Sequence, residues 1–451
     1  MSRLFPRPAA LSALFLLFAC ASGPVPLPHA VEGHMDLPQG HPSPHGHAAA
    51  TEDSETASAP GFEAFAASSP YRDIDSLSAG SIVHLPTGRQ VSETQLLDLL
   101  ADHRVVFVGE MHTSLEDHRI QLLVLKALEA RKGGQVMVGL EMFPHTAQAD
   151  LDRWVAGQMD EAAFLKVWYR HWSEDWEYYA PIMRYARERH IPLIALNATR
   201  EEVKAVSSGE AEVPVVDPML AADPYHEAYM TAILGGHGHG GSGGFGRVQR
   251  LWEATMAEYA ARALEREPRR TLLVLAGAGH VQYGFGIPRQ LFARVPVSYT
   301  TLVPVTVSMP AEREELQMDV DMPDFPMPYA DFVWAVDYRD REGERVMLGV
   351  SLDPRDDGLF VRGVLPGSPA ADAGVAEGDR LVSLDGNALS DMADVKAAMT
   401  VAVEGHNGIL VVARSGTEHT LSIAYRKPAP LPEGHPLPGE ADDMAPHEAR
   451  P

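Results

Sequence analysis

Glu110, His112, Glu141, Asn197, Arg200 and His280 share one circumstance: each stands just beyond a run of apolar residues. Arg104-Val105-Val106-Phe107-Val108 leads into Gly109-Glu110-Met111-His112, and Val136-Met137-Val138-Gly139-Leu140 into Glu141. Ile191 to Leu196 leads into Asn197 and Arg200, and Thr271 to Ala276 into Gly277-Ala278-Gly279-His280. Two of these ends repeat one device, Gly-x-x-His, in which glycine lets the chain turn sharply and an imidazole follows. Carboxylates beside imidazoles can act as an acid/base pair. Two imidazoles with one or two carboxylates can also hold a divalent ion with positions left for water. The metal-ligating set would be Glu110, His112, Glu141 and His280. The same four would be the catalytic residues of a hydrolase.

Near-continuous apolar runs of this length read as strands of a parallel sheet covered on both faces. Helical patterns lie between them: Glu116 to Arg131, with a stripe of Ile120, Leu123, Val124, Ala127 and Leu128; Ala147 to Val155; Glu177 to Arg189; and Arg247 to Glu267. Ser298 to Val307 reads as a further strand. The alternation predicts an α/β fold over 73–310, a parallel sheet with helices on both faces. In such sheets ligands sit beyond the carboxyl ends of the strands, so the four polar clusters should converge on one crevice.

The chain has 451 residues, enough for two or three domains. Its 62 acidic residues against 37 basic ones give a formal net charge of -25. That balance excludes nucleic-acid binding driven by a basic surface, and a polybasic attachment to membranes. Arg3 and Arg7 precede an apolar run, Ala9 to Phe18, too short to span a bilayer. The run closes on Leu17-Phe18-Ala19-Cys20, which resembles a bacterial lipoprotein signal, with Cys20 as lipid acceptor and residues 1–20 as signal peptide. By the same resemblance, Ala21-Ser22 points to the outer membrane. Cys20 is the single cysteine, so no intramolecular disulfide forms and no thiolate metal site exists elsewhere. Residues 21–72 read as a flexible tether rich in Pro and His (His29, His34, His41, His45, His47). His237-Gly238-His239 lies in a second Gly-rich run, Gly235 to Gly246; both histidine groups read equally well as weak metal binders or solvated segments.

Val-Phe-Val-Gly-Glu-Met-His (to His112), His118-Arg-Ile-Gln121, Gly-Leu-Glu-Met-Phe around Glu141, and Ala276 to Pro288 together resemble the ChaN-like haem-binding uptake family. That family lies within the Tiki and erythromycin-esterase superfamily, and the resemblance runs in order over most of 95–305. It implies an iron-linked envelope lipoprotein that holds haem, with a homodimer among the arrangements expected. The wider superfamily implies metal-dependent hydrolysis instead. Under the haem reading the pocket candidates are His112, His118, Glu141, Tyr178, Tyr179, Asn197, Arg200 and His280. The aromatic run from Trp168 to Tyr185 either flanks a porphyrin or packs a helical core. Arg200 either holds a propionate or lies on a helix surface.

Beyond a linker at 311–331 the texture changes to short alternating strands and Gly-rich turns. Met347-Leu348-Gly349-Val350, Gly358 to Val375 and Glu377-Gly-Asp379 to Gly386 resemble a bacterial PDZ domain over 332–427. That resemblance implies C-terminal peptide ligands, with the backbone of Leu348, Gly349 and Val350 taking the carboxylate and the sheet edge adding the peptide as a strand. Residues 428–451 read as a disordered acidic tail.

Overall fold

The computed structural model describes residues 74–214, 220, 223–236, 242–311, 313, 323, 325–341 and 345–427. Cys20 and the signal, the tether, the pair His237 and His239, most of the linker and the acidic tail lie outside the described residues. The chain divides into two compact units. Of the described residues, one holds those up to Phe164 together with Glu177–Arg341; the other holds Leu165–Trp176 together with those after Arg341.

In the larger unit a short antiparallel pair, β1 (Ile82–His84) and β2 (Arg89–Gln90), precedes helix α1 (Glu93–Ala101). A capping box starts α1, since Ser92 accepts from the Gln95 N–H and Gln95 reaches back to the Ser92 N–H. Then follow β3 (Val105–Glu110), α2 (Leu115–Arg131), β4 (Val136–Pro144) and α3 (Gln148–Val155). Helix α4 (Glu161–His171) crosses between the units, and α5 (Trp176–Glu188) returns. After it come β5 (Leu193–Asn197), α6 (Arg200–Ser208), α7 (Pro224–Gly236), α8 (Ser242–Arg266), β6 (Thr271–Gly277), α9 (Ile287–Arg294), β7 (Tyr299–Ser308) and β8 (Phe332–Asp337). The Gly-rich run 235–246 is therefore helical at both ends, through Gly236 and from Ser242.

These strands form one eight-stranded sheet in the order β2-β1-β8-β7-β3-β6-β4-β5. From β8 to β5 every neighbouring pair is parallel, while β1 and β2 lie antiparallel at one edge, so the sheet is mixed. Strands β3, β6 and most of β4 are buried along their whole length, as their unbroken apolar sequence requires. Phe107, Leu272, Val274, Val303 and Val333 pack in one core with Met256, Ala260 and Leu264 of α8.

Strand β8 corrects the expected boundary. The sequence reading places Phe332 at the start of the C-terminal module, but Phe332–Ala335 pair with Leu302–Val305 of β7 in the large sheet. Phe332-Val333-Trp334-Ala335-Val336 is buried throughout, the mark of a strand covered on both faces rather than of an alternating half-exposed one. The C-terminal part of the smaller unit thus begins at about Glu342.

That unit is an antiparallel sheet ordered β14-β13-β11-β10-β9, with β12 beside β11. Its elements are β9 (Val350–Arg355), β10 (Gly358–Val364), the short helix α10 (Pro369–Asp372), β11 (Arg380–Leu384), β12 (Asn387–Ala388), α11 (Met392–Thr400), β13 (Asn407–Arg414) and β14 (Thr417–Ala424). Strands β13 and β14 are joined by Ser415-Gly416, both with positive φ (50° and 80°), as a tight hairpin of matching twist demands. Strand β9 is an edge strand.

Candidate functional site

Strand β3 ends on Glu110, whose side chain is fully buried. Its carboxylate accepts from three side chains: His112 Nδ1 at 2.9 Å, the Tyr179 hydroxyl at 2.5 Å, and the Gln121 amide. His118 stands 3.7 Å from the same carboxylate, with Nδ1 at 3.1 Å from Gln121 Oε1 and Nε2 at 3.0 Å from the His112 carbonyl. The turn that presents His112 is pinned from below. Asp117 accepts from the Met111 N–H at 2.7 Å and from the Ser114 hydroxyl at 2.6 Å. Burial alone would raise the pKa of Glu110, but His118, His112 and Tyr179 outweigh it and hold the carboxyl below its ordinary value. Glu110 is therefore an ionised acceptor, which fixes the proton of His112 on Nδ1.

A second cluster forms where β4 and β6 end. Glu141 accepts from the Gly277 N–H at 2.6 Å and lies 3.3 Å from His280 Nε2. On the other side of the ring, His280 Nδ1 is 3.7 Å from Glu253, and Glu253 is 3.3 Å from His226 Nε2. That last contact is an ion-pair distance without hydrogen-bond geometry. Burial pushes Glu141 up, but His280, His112 and the Gly277 N–H bring it down to about 2. Glu253 is likewise held at about 2, burial being outweighed by His226 and His280. For His280, burial lowers the pKa while Glu141 and Glu253 raise it, to about 10. The Gln249 amide nitrogen, 2.8 Å from His280 Nδ1, favours a singly protonated ring. Two carboxylate charges outweigh one amide dipole, so the imidazolium prevails.

Gly277 is where the clusters meet. A Cβ there would sit 3.1 Å from His112 Cε1, crowding that ring, and in ordinary contact with a Glu141 oxygen at 3.6 Å, so glycine leaves His112 its place beside Glu141. Glu110, His112, Glu141 and His280 thus come together at adjacent strand ends. They arrive as two carboxylate–imidazole pairs, each satisfied internally. Among the described residues no three His, Cys, Asp or Glu side chains are placed to hold a metal ion.

The remaining candidates fall around this core. Tyr179 is buried against Glu110, and the Tyr178 hydroxyl accepts from the Arg341 N–H at 2.7 Å. Asn197 donates to the Glu141 carbonyl at 2.9 Å, holding the β4 end rather than facing a ligand. Arg200 is exposed in the first turn of α6. Trp168 and Trp176 are fully buried, edge to face at 5.3 Å, so this part of the aromatic run is core packing. Glu253, Gln249 and His226 belong to the site yet escape the strand-end reading, because they arrive on helices. The spacing of Gln249 and Glu253, four apart among Leu251, Ala254, Met256 and Ala257, was the available signal of a polar spot on a buried face.

A cavity of about 420 Å³ adjoins this second cluster, lined in part by Val213, His226, Arg247, Arg250, Ala254 and Phe285.

Residues 96–291 match the family described as haem-binding uptake, Tiki superfamily, ChaN. The larger unit carries a ChaN-like haem-binding domain. Residues 360–414 match the PDZ domain, and the smaller unit is a PDZ module. Among solved structures, ChaN of Campylobacter jejuni with cofacially bound haem is 18% identical, the match covering 56% of this chain and 95% of that one, with a TM-score of 0.46. The HtrA3 PDZ domain bound to a phage-derived ligand is 23% identical and covers 18% of this chain and 86% of its own, with a TM-score of 0.17. A curated relative, protein RETICULATA-RELATED 5, chloroplastic, of Arabidopsis thaliana, is 22% identical over 280 residues, 56% of this chain. The match spans only 37% of that relative's length.

Proposed function

We propose that this chain is a lipid-anchored envelope protein in haem or iron uptake, whose ChaN-like domain carries haem and whose PDZ module holds C-terminal peptides. The match of residues 96–291 to the haem-binding family carries the reading. The residues present fit a porphyrin. The cavity beside α7 and α8 lies in the size range of small-molecule sites. Val213, Ala254 and Phe285 supply apolar wall and His226 an imidazole, while Arg250, paired with Glu227, and Arg247, donating to the Val206 and Ser207 carbonyls, would exchange those partners for propionates. Bound haem would supply iron coordination; the chain supplies the apolar enclosure and the charge partners. Tyr179, by contrast, is committed to Glu110 and serves the fold of the site.

Membrane attachment rests on Cys20 and the signal before it; no described helix is long and apolar enough to cross a membrane. Peptide binding is supported by the loop at Gly349, whose φ of +77° and close approach to Ser368 turn the backbone ahead of the edge strand β9. Titrating haemin into the soluble chain from about residue 70 tests the main reading. A shifted, saturable Soret band at micromolar protein is expected, and an unshifted band would contradict it.

A second reading, hydrolysis, rests on the meeting of two carboxylate–imidazole pairs across Gly277. Among the described residues no three such side chains are grouped to hold a metal ion, so the acid/base form is the one carried into the test. It predicts that Glu110→Gln and His280→Ala abolish a hydrolytic activity while the fold persists.

A further inference from the structure

Within the larger unit, helix α7 meets the cavity wall through charge at its first turn and through buried bonds at its second. Asp223 caps the helix, its Oδ1 accepting from the Tyr225 N–H at 2.8 Å, while its Oδ2 pairs with Arg289 of α9. Glu227, four positions on, pairs with Arg250 of α8. Between them His226 stands 3.3 Å from Glu253, an ion-pair distance without a hydrogen bond. One turn later the contacts change in kind. Tyr229 is fully buried, its hydroxyl 2.8 Å from Gln282 Oε1 and 3.1 Å from the Gly279 carbonyl, and Met230 packs beside it with Phe285 and Phe325.

Arg250 and Asp223 line the cavity, and the Arg289 guanidinium lies 5.0 Å over the ring of Phe285, which lines it too. Two guanidinium groups at the cavity margin are thus held by the chain's own carboxylates, Asp223 and Glu227. These stand one helical turn apart, about 6 Å of rise. Glu227 is 62% exposed, so water competes for its pair with Arg250 and the pair yields easily. A ligand carboxylate that takes its place exchanges one charge-assisted contact for another, whereas an uncharged group breaks the pair and returns nothing. We propose that Asp223 and Glu227 set the specificity of this cavity: they hold Arg289 and Arg250 until a ligand with two carboxylates about one helical turn apart replaces them. The buried second turn keeps α7 in place while its first turn exchanges partners. The proposal rests on the haem-carrying reading in taking the two propionates of haem as that pair.

The test titrates haemin, and haemin dimethyl ester with its propionates masked, into the full chain and into the double variant Asp223→Asn/Glu227→Gln, followed at the Soret band. Asn keeps the acceptor that caps α7 and Gln keeps the shape of Glu227, and thermal melts in parallel report folding. Glu227→Gln alone, at an exposed position, carries the same comparison should the double variant melt early. Freeing the two arginines should tighten haemin by roughly fivefold and leave the ester unchanged. Glu93→Gln/Glu265→Gln, which removes two exposed charges elsewhere on the same unit, should change neither. Equal haemin affinity in wild type and Asp223→Asn/Glu227→Gln, or an ester tightened as much as haemin, would overturn the specificity role and leave haem carriage standing. Haemin that binds none of these proteins would overturn haem carriage, and the specificity role with it.

Discussion

His280 lies between two buried carboxylates, and the charges around it make a stability profile with two limbs. Its pKa is raised from the ordinary 6.5 to about 10, so its contribution is complete below pH 6.5 and is lost as pH rises through 10. Glu141 and Glu253 are lowered from 4.5 to about 2, so theirs is complete above pH 4.5 and is lost as pH falls through 2. The advantage of the wild type over His280→Gln in urea midpoint should therefore be greatest between pH 4.5 and 6.5 and shrink on both sides. An advantage that grows from pH 7 to 10 would mean that the ring is neutral in the folded protein. Glu110, His112, Glu141 and His280 were legible because strand ends announce themselves in sequence. Gln121 was legible only as part of a motif and Gln249 and Glu253 only as a helical spacing, while His226 was not, since a polar residue on a helix shows its partner only when the neighbouring sheet is in place. Tyr179 was legible as an aromatic but not as a donor to Glu110, a partner 69 positions away.

At the scale of elements, strand β8 shows what periodicity misses. Phe332–Asp337 follows a Pro-rich stretch and precedes the PDZ texture, so the order of the chain suggested membership in the PDZ module. Its pairing, between β1 and β7, depends on register with Ile82–His84 some 250 positions earlier. A chain ending at residue 331 would expose β7 and β1 along their inner edges, whereas one ending at 341 keeps the sheet whole. The shorter form should aggregate and the longer one should remain monodisperse by light scattering; equal behaviour would mean that β8 is dispensable. In the PDZ module the loop proposed to take a peptide carboxylate turns on Gly349. A Cβ there would lie 2.2 Å from the Ser368 Cβ, on a backbone with φ of +77°. Gly349→Ala should cost about 1–3 kcal/mol. It should also abolish preference for free-carboxylate over amidated peptides, measured by fluorescence anisotropy. A preference kept intact would place the carboxylate elsewhere than Leu348, Gly349 and Val350.

For the whole molecule, the division into an α/β unit and a mainly-β unit followed from sequence texture alone, because period-two strands with Gly turns look unlike long buried strands between helices. The cavity did not, because it is assembled from α7, α8, α9 and the chain after α6, four segments with no common motif. That cavity makes the haem reading testable within one protein. Ala211 is exposed at its lining, so Ala211→Trp should fill part of the space with little effect on folding. Haemin titrations of the wild type and of Ala211→Trp, followed at the Soret band with thermal melts in parallel, decide the matter. The account predicts a saturable shift for the wild type and at least a tenfold weaker affinity for a variant that melts normally, about 1.4 kcal/mol of lost binding. A wild-type spectrum that haemin binding does not shift, or identical titrations of the two proteins, would contradict it.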